Sequence, residues 1–292
     1  MRRIEESELI INEDGSAFHL HLKPGQVADT VILVGDPGRV DLVASFFDSV
    51  DVEKHNREFV SKTGTINGKG VTVVSTGIGT DNIDIVLNEL DALVNIDFET
   101  RTVRDKLTSL RLIRIGTSGS LQKDLPVDSW VLSEKAIGFD GLLNYYAGRK
   151  DICDLGFEDA FKKSLDWNEL LASPYVVDAS PELISTLEGN GITKGVNISA
   201  PGFYGPQGRV LRLELADPDI NNKITAFRYG NFRVTNYEME CSAIYGLSAL
   251  MGHKAATVCA IIANRLAGTS SADYKKVIKN LVETVLDRLF ND

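Results

Sequence analysis

VTNYEMECSAI, residues 234–244, joins a short β-prone run to an apolar helical pattern. Ala243, Ile244, Leu247 and Leu250 recur at three- and four-residue steps, which predicts a helix running from Met239 to Met251 and stopped by Gly252. The next run, Ala255–Ala263 (AATVCAIIA), reads as a buried strand. Glu238 and Glu240 therefore fall where a strand turns into a helix, at the carboxyl edge of a sheet. Open α/β sheets bind their ligands at that edge. A carboxylate accepts several hydrogen bonds, which suits a hydroxyl-rich ligand. The helix macrodipole would equally favour two acids in a first turn with no ligand at all.

The same strand-to-turn pattern recurs upstream. Thr30–Val34 (TVILV) is an apolar, β-branched run that ends in Gly35-Asp36-Pro37-Gly38-Arg39, where glycines expose backbone N–H groups and Arg39 adds charge. Val71–Ser75 leads into Thr76-Gly77-Ile78-Gly79 and a helix over Asn82–Val94, with Ile83, Val86, Leu87, Leu90 and Val94 on one face. Gly77-x-Gly79 lacks the third glycine of a dinucleotide fingerprint, and no GxxxxGK[ST] occurs. Leu112–Ile115 is a strand opening into Gly116-Thr117-Ser118-Gly119, with Arg114 at its end. An arginine in a run shaped for burial needs an anionic partner, whether a carboxylate or a ligand. Thr117 and the nearby amides complete a concavity of the kind that holds phosphate.

Trp130–Leu132 and Gly195–Ser199 read as strands and Leu183–Glu188 as a helix. Residues 139–174 are less periodic and read as an insertion or lid. Pro201–Arg212 (PGFYGPQGRVLR) is a loop in which an aromatic face, an amide and a guanidinium suit a flat heterocycle with carbonyl edges. Ser271–Phe290 carries the stripe Tyr274, Val277, Ile278, Leu281, Val285 and Leu289, preceded by a capping-box-like Ser270-x-x-Asp273. Alternating strands and helices without repeats or linkers imply one α/β domain over residues 1–292.

A net charge of −10 over 292 residues argues against a nucleic-acid surface, so an anionic substrate must be captured by a few focused arginines. Three cysteines without CxxC spacing fit neither a disulfide framework nor a zinc site and point to a reducing compartment. No apolar run is long enough to span a bilayer, and the N-terminus has acids where a signal peptide needs an apolar core. A cytoplasmic protein that binds neither membrane nor nucleic acid is expected. The four histidines lack metal-ligand spacing, so no metal is expected.

Taken in order, Phe18-His19-Leu20, Gly35-Asp36-Pro37-Gly38-Arg39, Arg57-Glu58-Phe59, Ser75-Thr76-Gly77-Ile78-Gly79, Arg114–Gly119, Phe203-Tyr204 through Gln207-Gly208-Arg209, and Asn236-Tyr237-Glu238-Met239-Glu240 closely resemble the hexameric-type nucleoside phosphorylases, and within them the uridine phosphorylases. The resemblance implies a twisted mixed central sheet partly closed into a barrel and flanked by helices. It implies a phosphate site from Gly35, Arg39, Arg114 and Thr117, joined by Arg57 of a neighbouring subunit. Ribose would be held by Glu238, Met239 and Glu240, with His19 reaching across a dimer interface. Gly119, Phe203, Gln207 and Arg209 would receive uracil. Shared sites imply a homo-oligomer, at least a dimer. Inorganic phosphate would be a co-substrate, and no cofactor is implied.

The implied chemistry converts uridine and phosphate reversibly to uracil and ribose 1-phosphate. Arg39 and Arg114 would position the nucleophile, Glu240 the ribose hydroxyls, and Gln207 with Arg209 the leaving base. Purine-specific relatives use an aspartate after the strand corresponding to Ala255–Ala263, whereas this chain reads Ile262-Ala263-Asn264-Arg265. The missing acid favours uridine over a purine or methylthioadenosine phosphorylase or nucleosidase. A non-catalytic nucleoside-binding protein is the alternative from another class.

Overall fold

The computed structural model describes residues 2–291. In chain order its first half contains β1 (Thr30–Val34), α1 (Gly38–Ala44), β2 (Ser49–Asn56), β3 (Phe59–Ile66), β4 (Lys69–Ser75), α2 (Thr80–Asn95), β5 (Ile96–Asp97), β6 (Thr102–Val103), β7 (Arg111–Ser120) and β8 (Trp130–Gly138). There follow α3 (Arg149–Ile152), α4 (Leu155–Leu165), β9 (Tyr175–Asp178), α5 (Pro181–Leu187), β10 (Ile192–Ser199) and α6 (Ile220–Ala226). The chain closes with β11 (Arg228–Tyr229), β12 (Phe232–Glu238), α7 (Cys241–Met251), β13 (Lys254–Asn264), β14 (Thr269–Ser270) and α8 (Tyr274–Phe290).

All strands but β5 and β6 join one twelve-stranded sheet. At its centre β1 pairs parallel with both β4 and β7, and β13 pairs parallel with β7. From there the sheet curls: β13 meets β8 antiparallel, β8 meets β10 parallel, β10 meets β12 parallel, and β12 returns antiparallel to β7. Five strands thus close into a ring, while β1, β4, β3 and β2 continue from it as an open arm. This is the mixed, partly closed α/β architecture expected from the sequence. Closure rests on two residue pairs, Asn236 with Ser120 and Tyr237 with Gly119.

Helices cover the sheet because each carries one apolar stripe. On one face Ile83, Val86, Leu87 and Leu90 of α2 pack with Ala243, Ile244 and Leu247 of α7. On the other, Val40 and Val43 of α1, Leu183 and Leu187 of α5, and Ile278, Leu281 and Val285 of α8 share a cluster. Within 139–174, α4 buries Phe157, Phe161 and Leu165 against Ile137, Val196 and Ile198 of the ring, with Phe227 completing the cluster. Burial of each such side chain is worth about 1.5–3 kcal/mol. Among the described residues no helix is long and apolar enough to cross a membrane.

Several boundaries differ from the sequence expectations. β7 does not open into a turn at Gly116 but runs through Gly116–Gly119 to Ser120, because its end pairs with β13 and β12 together. The helix expected from Met239 begins at Cys241, since the Glu238 carboxylate takes the backbone N–H groups of Glu240 and Cys241 and holds the intervening turn out of the helix. α8 begins at Tyr274 rather than Ser271 and is capped by Asp273, which accepts from Lys276 N at 3.2 Å, in place of a Ser270-led capping box.

Candidate active site

A cavity of about 900 Å³ opens at the carboxyl ends of β1, β4, β7, β12 and β13. Gly35 and Arg39 reach it from the turn after β1, Arg114, Thr117 and Gly119 from β7, and Glu238, Met239 and Glu240 from the turn between β12 and α7. Phe203, Gln207 and Arg209 reach it from the loop after β10. All the residues expected at the site therefore line one cavity, except His19 and Arg57.

The floor is an ion cluster almost closed to solvent. Arg114, midway along β7, donates to Glu240 Oε2 and lies 3.6 Å from Glu238 Oε2. Burial alone would lower the Arg114 pKa, but the two carboxylates overcome it and hold the pKa above the usual range. Glycine at 116 makes this possible, since a Cβ there would run into the Arg114 guanidinium. Glu240 also accepts from Gly79 N at 2.8 Å, which ties the loop after β4 to the floor. Glu238 accepts from Ser199 Oγ at 2.6 Å and from the backbone N–H groups of Glu240 and Cys241 at 2.8 and 2.9 Å. Burial pushes the Glu238 pKa up, opposed by Arg114 and reinforced by the charge of Glu240.

Arg39 is different. Its guanidinium makes no hydrogen bond or ion pair among the described residues, and its pKa is lowered by burial and then by the charge of Arg114. An arginine does not lose its proton in a protein, so this unfavourable field is relieved by an anion placed between the two guanidiniums. Thr117, half-buried beside them, offers a hydroxyl.

From the 201–212 loop, Phe203, Gln207 and Arg209 line the cavity. Gln207 is buried, and its Oε1 accepts from Arg209 Nη1 at 2.6 Å and from Arg265 Nη2 at 2.8 Å. With both arginines restricted to donating, the amide orientation follows, and its NH₂ remains to donate. Arg209 stacks on the Phe203 ring at 3.7 Å, and Arg265 lies 5.0 Å from the centroid of Tyr237. Burial, then the charge of Arg209, pushes Arg265 down to about 10. The sequence reading missed Arg265. It weighed that position for the acid it lacked, although an arginine just past a buried strand is the same signal that had singled out Arg114.

His19 and Arg57 do not line the cavity, although Glu58, next to Arg57, does. His19 Nδ1 pairs with Glu89 Oε1 at 2.6 Å, and the His19 carbonyl accepts from Asn56 Nδ2 at 2.9 Å. Arg57 is exposed in the two-residue turn between β2 and β3, with φ +54°. A second cavity, of about 490 Å³, lies behind the 201–212 loop and is lined by Phe139, Asp140, Trp167, Pro201, Pro206 and Ile220 among others.

The chain is similar along most of its length to known nucleoside phosphorylases. A uridine phosphorylase of Thermococcus kodakarensis is 28% identical over 264 residues, covering 87% of this chain and 79% of that one. A DeoD-type purine nucleoside phosphorylase of Bacillus subtilis is also 28% identical, over 273 residues that cover 92% of this chain and 97% of that one. The crystal structure of a Trypanosoma brucei nucleoside phosphorylase, described as showing uridine phosphorylase activity, superposes with a TM-score of 0.84 at 28% identity, covering 97% of this chain and 100% of that one. The family profile described as the phosphorylase superfamily matches residues 29–289. With a match that spans most of its length, this chain belongs to the phosphorylase superfamily.

Proposed function

We propose that this chain catalyses the reversible phosphorolysis of uridine to uracil and ribose 1-phosphate. The observation that carries the base assignment is the cluster on the 201–212 loop, where Gln207 and Arg209 line the cavity and the Gln207 amide oxygen accepts from the guanidiniums of Arg209 and Arg265, leaving its NH₂ to donate. Uracil leaves with negative charge on its carbonyl oxygens, so donors fixed there bind the transition state more tightly than the substrate. A purine leaving group needs a proton at its ring nitrogen, and the stretch Asn264-Arg265 after Ala263 carries no acid to give one. The uridine and purine relatives are equally similar overall, so this local chemistry supports the choice between them.

Each part then has a task. Arg39, Thr117 and the Gly35 amide hold phosphate, with Arg114 closing its inner side. Glu240 and Met239 hold the ribose hydroxyl edge, and Arg114 bridges the two substrates through its pairing with Glu240. As the phosphate oxygen approaches C1′ the glycosidic bond breaks, the sugar becomes cationic, and the floor carboxylates stabilise that charge. No covalent intermediate and no cofactor is needed. The bond from Asn56, the residue before Arg57, to the His19 carbonyl supports a joint contribution of His19 and Arg57 to a neighbouring subunit's site, in a homodimer at least. Three free cysteines fit work in the reducing cytoplasm.

Uracil release from uridine is measured with and without phosphate, beside inosine and methylthioadenosine, in the wild type and in Arg39→Ala. Phosphate-dependent release from uridine alone, lost in the variant, is expected. Release without phosphate, cleavage of the purine substrates only, or uridine binding without turnover would each overturn the reading. A fully active monomer in light scattering would remove the shared site.

A further inference from the structure

Behind Glu238 runs a hydrogen-bonded chain that leaves the active site and ends at the second cavity. Ser199, the last residue of β10, donates to Glu238 Oε1 at 2.6 Å and accepts from the Ser242 backbone N–H at 2.8 Å. The Ser242 hydroxyl, in the first turn of α7, donates to Asp140 Oδ2 at 3.1 Å. Tyr175 OH lies 3.0 Å from Ser242 Oγ and donates to the Asp140 carboxylate at 3.0–3.1 Å. Leu142 N supplies Asp140 Oδ1 with a further donor at 2.8 Å. Ser199, Ser242 and Tyr175 are each 0% exposed and Glu238 is 4%. The Tyr175 ring is seated over Gly138, where a Cβ would collide with it.

We propose that Ser199, Ser242, Tyr175 and Asp140 are positioning residues that hold Glu238, and through it the Met239–Glu240 turn, in the geometry that binds the nucleoside. The hydrogen count supports the assignment. Ser199 has one hydroxyl proton and gives it to Glu238, while Oε2 accepts two backbone N–H groups, so both carboxylate oxygens are held in place by protein donors. Glu238 thus takes up two orphan backbone donors at the start of α7 and fixes the turn that precedes it. If it shifts, the turn carrying Met239 and Glu240 shifts with it. The anchor for that cap is Asp140, on the wall of the second cavity. Facing Glu238 are Arg114 of β7, its neighbour Glu240, Cys241 of α7 and Cys259 of β13. Among the described residues only Ser199 offers it a neutral side-chain hydrogen bond.

The proposal rests on reading the cavity as a nucleoside site, and the test separates the two. Wild type, Ser199→Ala and Tyr175→Phe are compared for the KM of uridine, the KM of phosphate, the acid limb of kcat/KM for uridine, and the thermal midpoint. Ser199→Ala removes a donor to a charged group. It should raise the uridine KM about tenfold, leave the phosphate KM within about twofold, and move the acid limb to higher pH, because the ionised carboxylate loses support. Tyr175→Phe should move the same quantities in the same direction by about two- to threefold, one link further away. An unchanged uridine KM and acid limb in Ser199→Ala would overturn the proposal. So would a lowered midpoint with reduced kcat but unmoved KM and acid limb, which describes a merely structural serine. A carboxyl NMR titration of Glu238, assigned with Glu238→Gln, is independent of turnover. If the wild type is inactive on uridine, the substrate reading fails, and an unshifted Glu238 titration in Ser199→Ala would still refute the chain.

Discussion

The two ends of the cavity are built by opposite means. At the floor, Arg114 from within β7 and Glu238 and Glu240 at the turn into α7 are nearly sealed from solvent and held by ion pairs and hydrogen bonds to one another, to Ser199 and to backbone. At the base end, the 201–212 loop leaves Phe203 and Tyr204 about half exposed and places Val210 and Leu211 largely in solvent. The floor is fixed by the sheet, whereas the loop is fixed by a few contacts centred on Gln207. In the proposed reaction, sugar and phosphate chemistry falls to the floor and base choice to the loop, which can change without disturbing the floor. A uridine and a purine enzyme standing equally far from this chain are what such a division produces.

Substitutions can break or sharpen that contrast. The largest expected effect is at the floor: Arg114→Ala strands two buried carboxylates and should lower the unfolding free energy by about 3–5 kcal/mol, read by urea denaturation. A loss below about 1 kcal/mol would mean that the cluster is not load-sharing. Arg39→Ala should leave stability within about 0.5 kcal/mol, because this guanidinium has no protein partner to strand, while kcat falls about 10²–10³-fold. Steady-state kinetics beside a denaturation curve check both halves. In Arg265→Ala the uridine kcat/KM should fall about ten- to hundredfold with the phosphate KM unchanged, and a matching rise in phosphate KM would erase the distinction between the ends. The smallest effect belongs to the loop rim, where Phe203→Ala removes the face beneath Arg209. About 0.5–1 kcal/mol, a few-fold in uridine KM, is expected.

Much of this was legible in the chain itself. β1 was read residue for residue, since a β-branched run ending in glycine has few alternatives, and Arg114 stood out as a cation in a buried run. The barrel closure came only through family resemblance, because a junction of two residue pairs between β12 and β7 has no local signature. β2 and β3 went unread: most of β2 is exposed or half-exposed and polar, so its hydrophobic period is weak. The pairing of Arg114 with Glu240 spans 126 positions and is equally silent in sequence. Arg265 was visible but was judged by what it replaced instead of by its own chemistry.

Curling one end of the sheet into a ring has a cost at the other. A closed ring has no outermost strand, whereas the open arm finishes in β2, an eight-residue strand whose outer backbone groups have no neighbour in the sheet. Such a strand is a template for joining chains edge to edge. Here it carries Asp51, Glu53 and Lys54, charges that make a stray strand pay desolvation before it can pair. Valine or isoleucine in place of these three side chains would leave the edge open to strand addition, with self-association at high concentration the expected result.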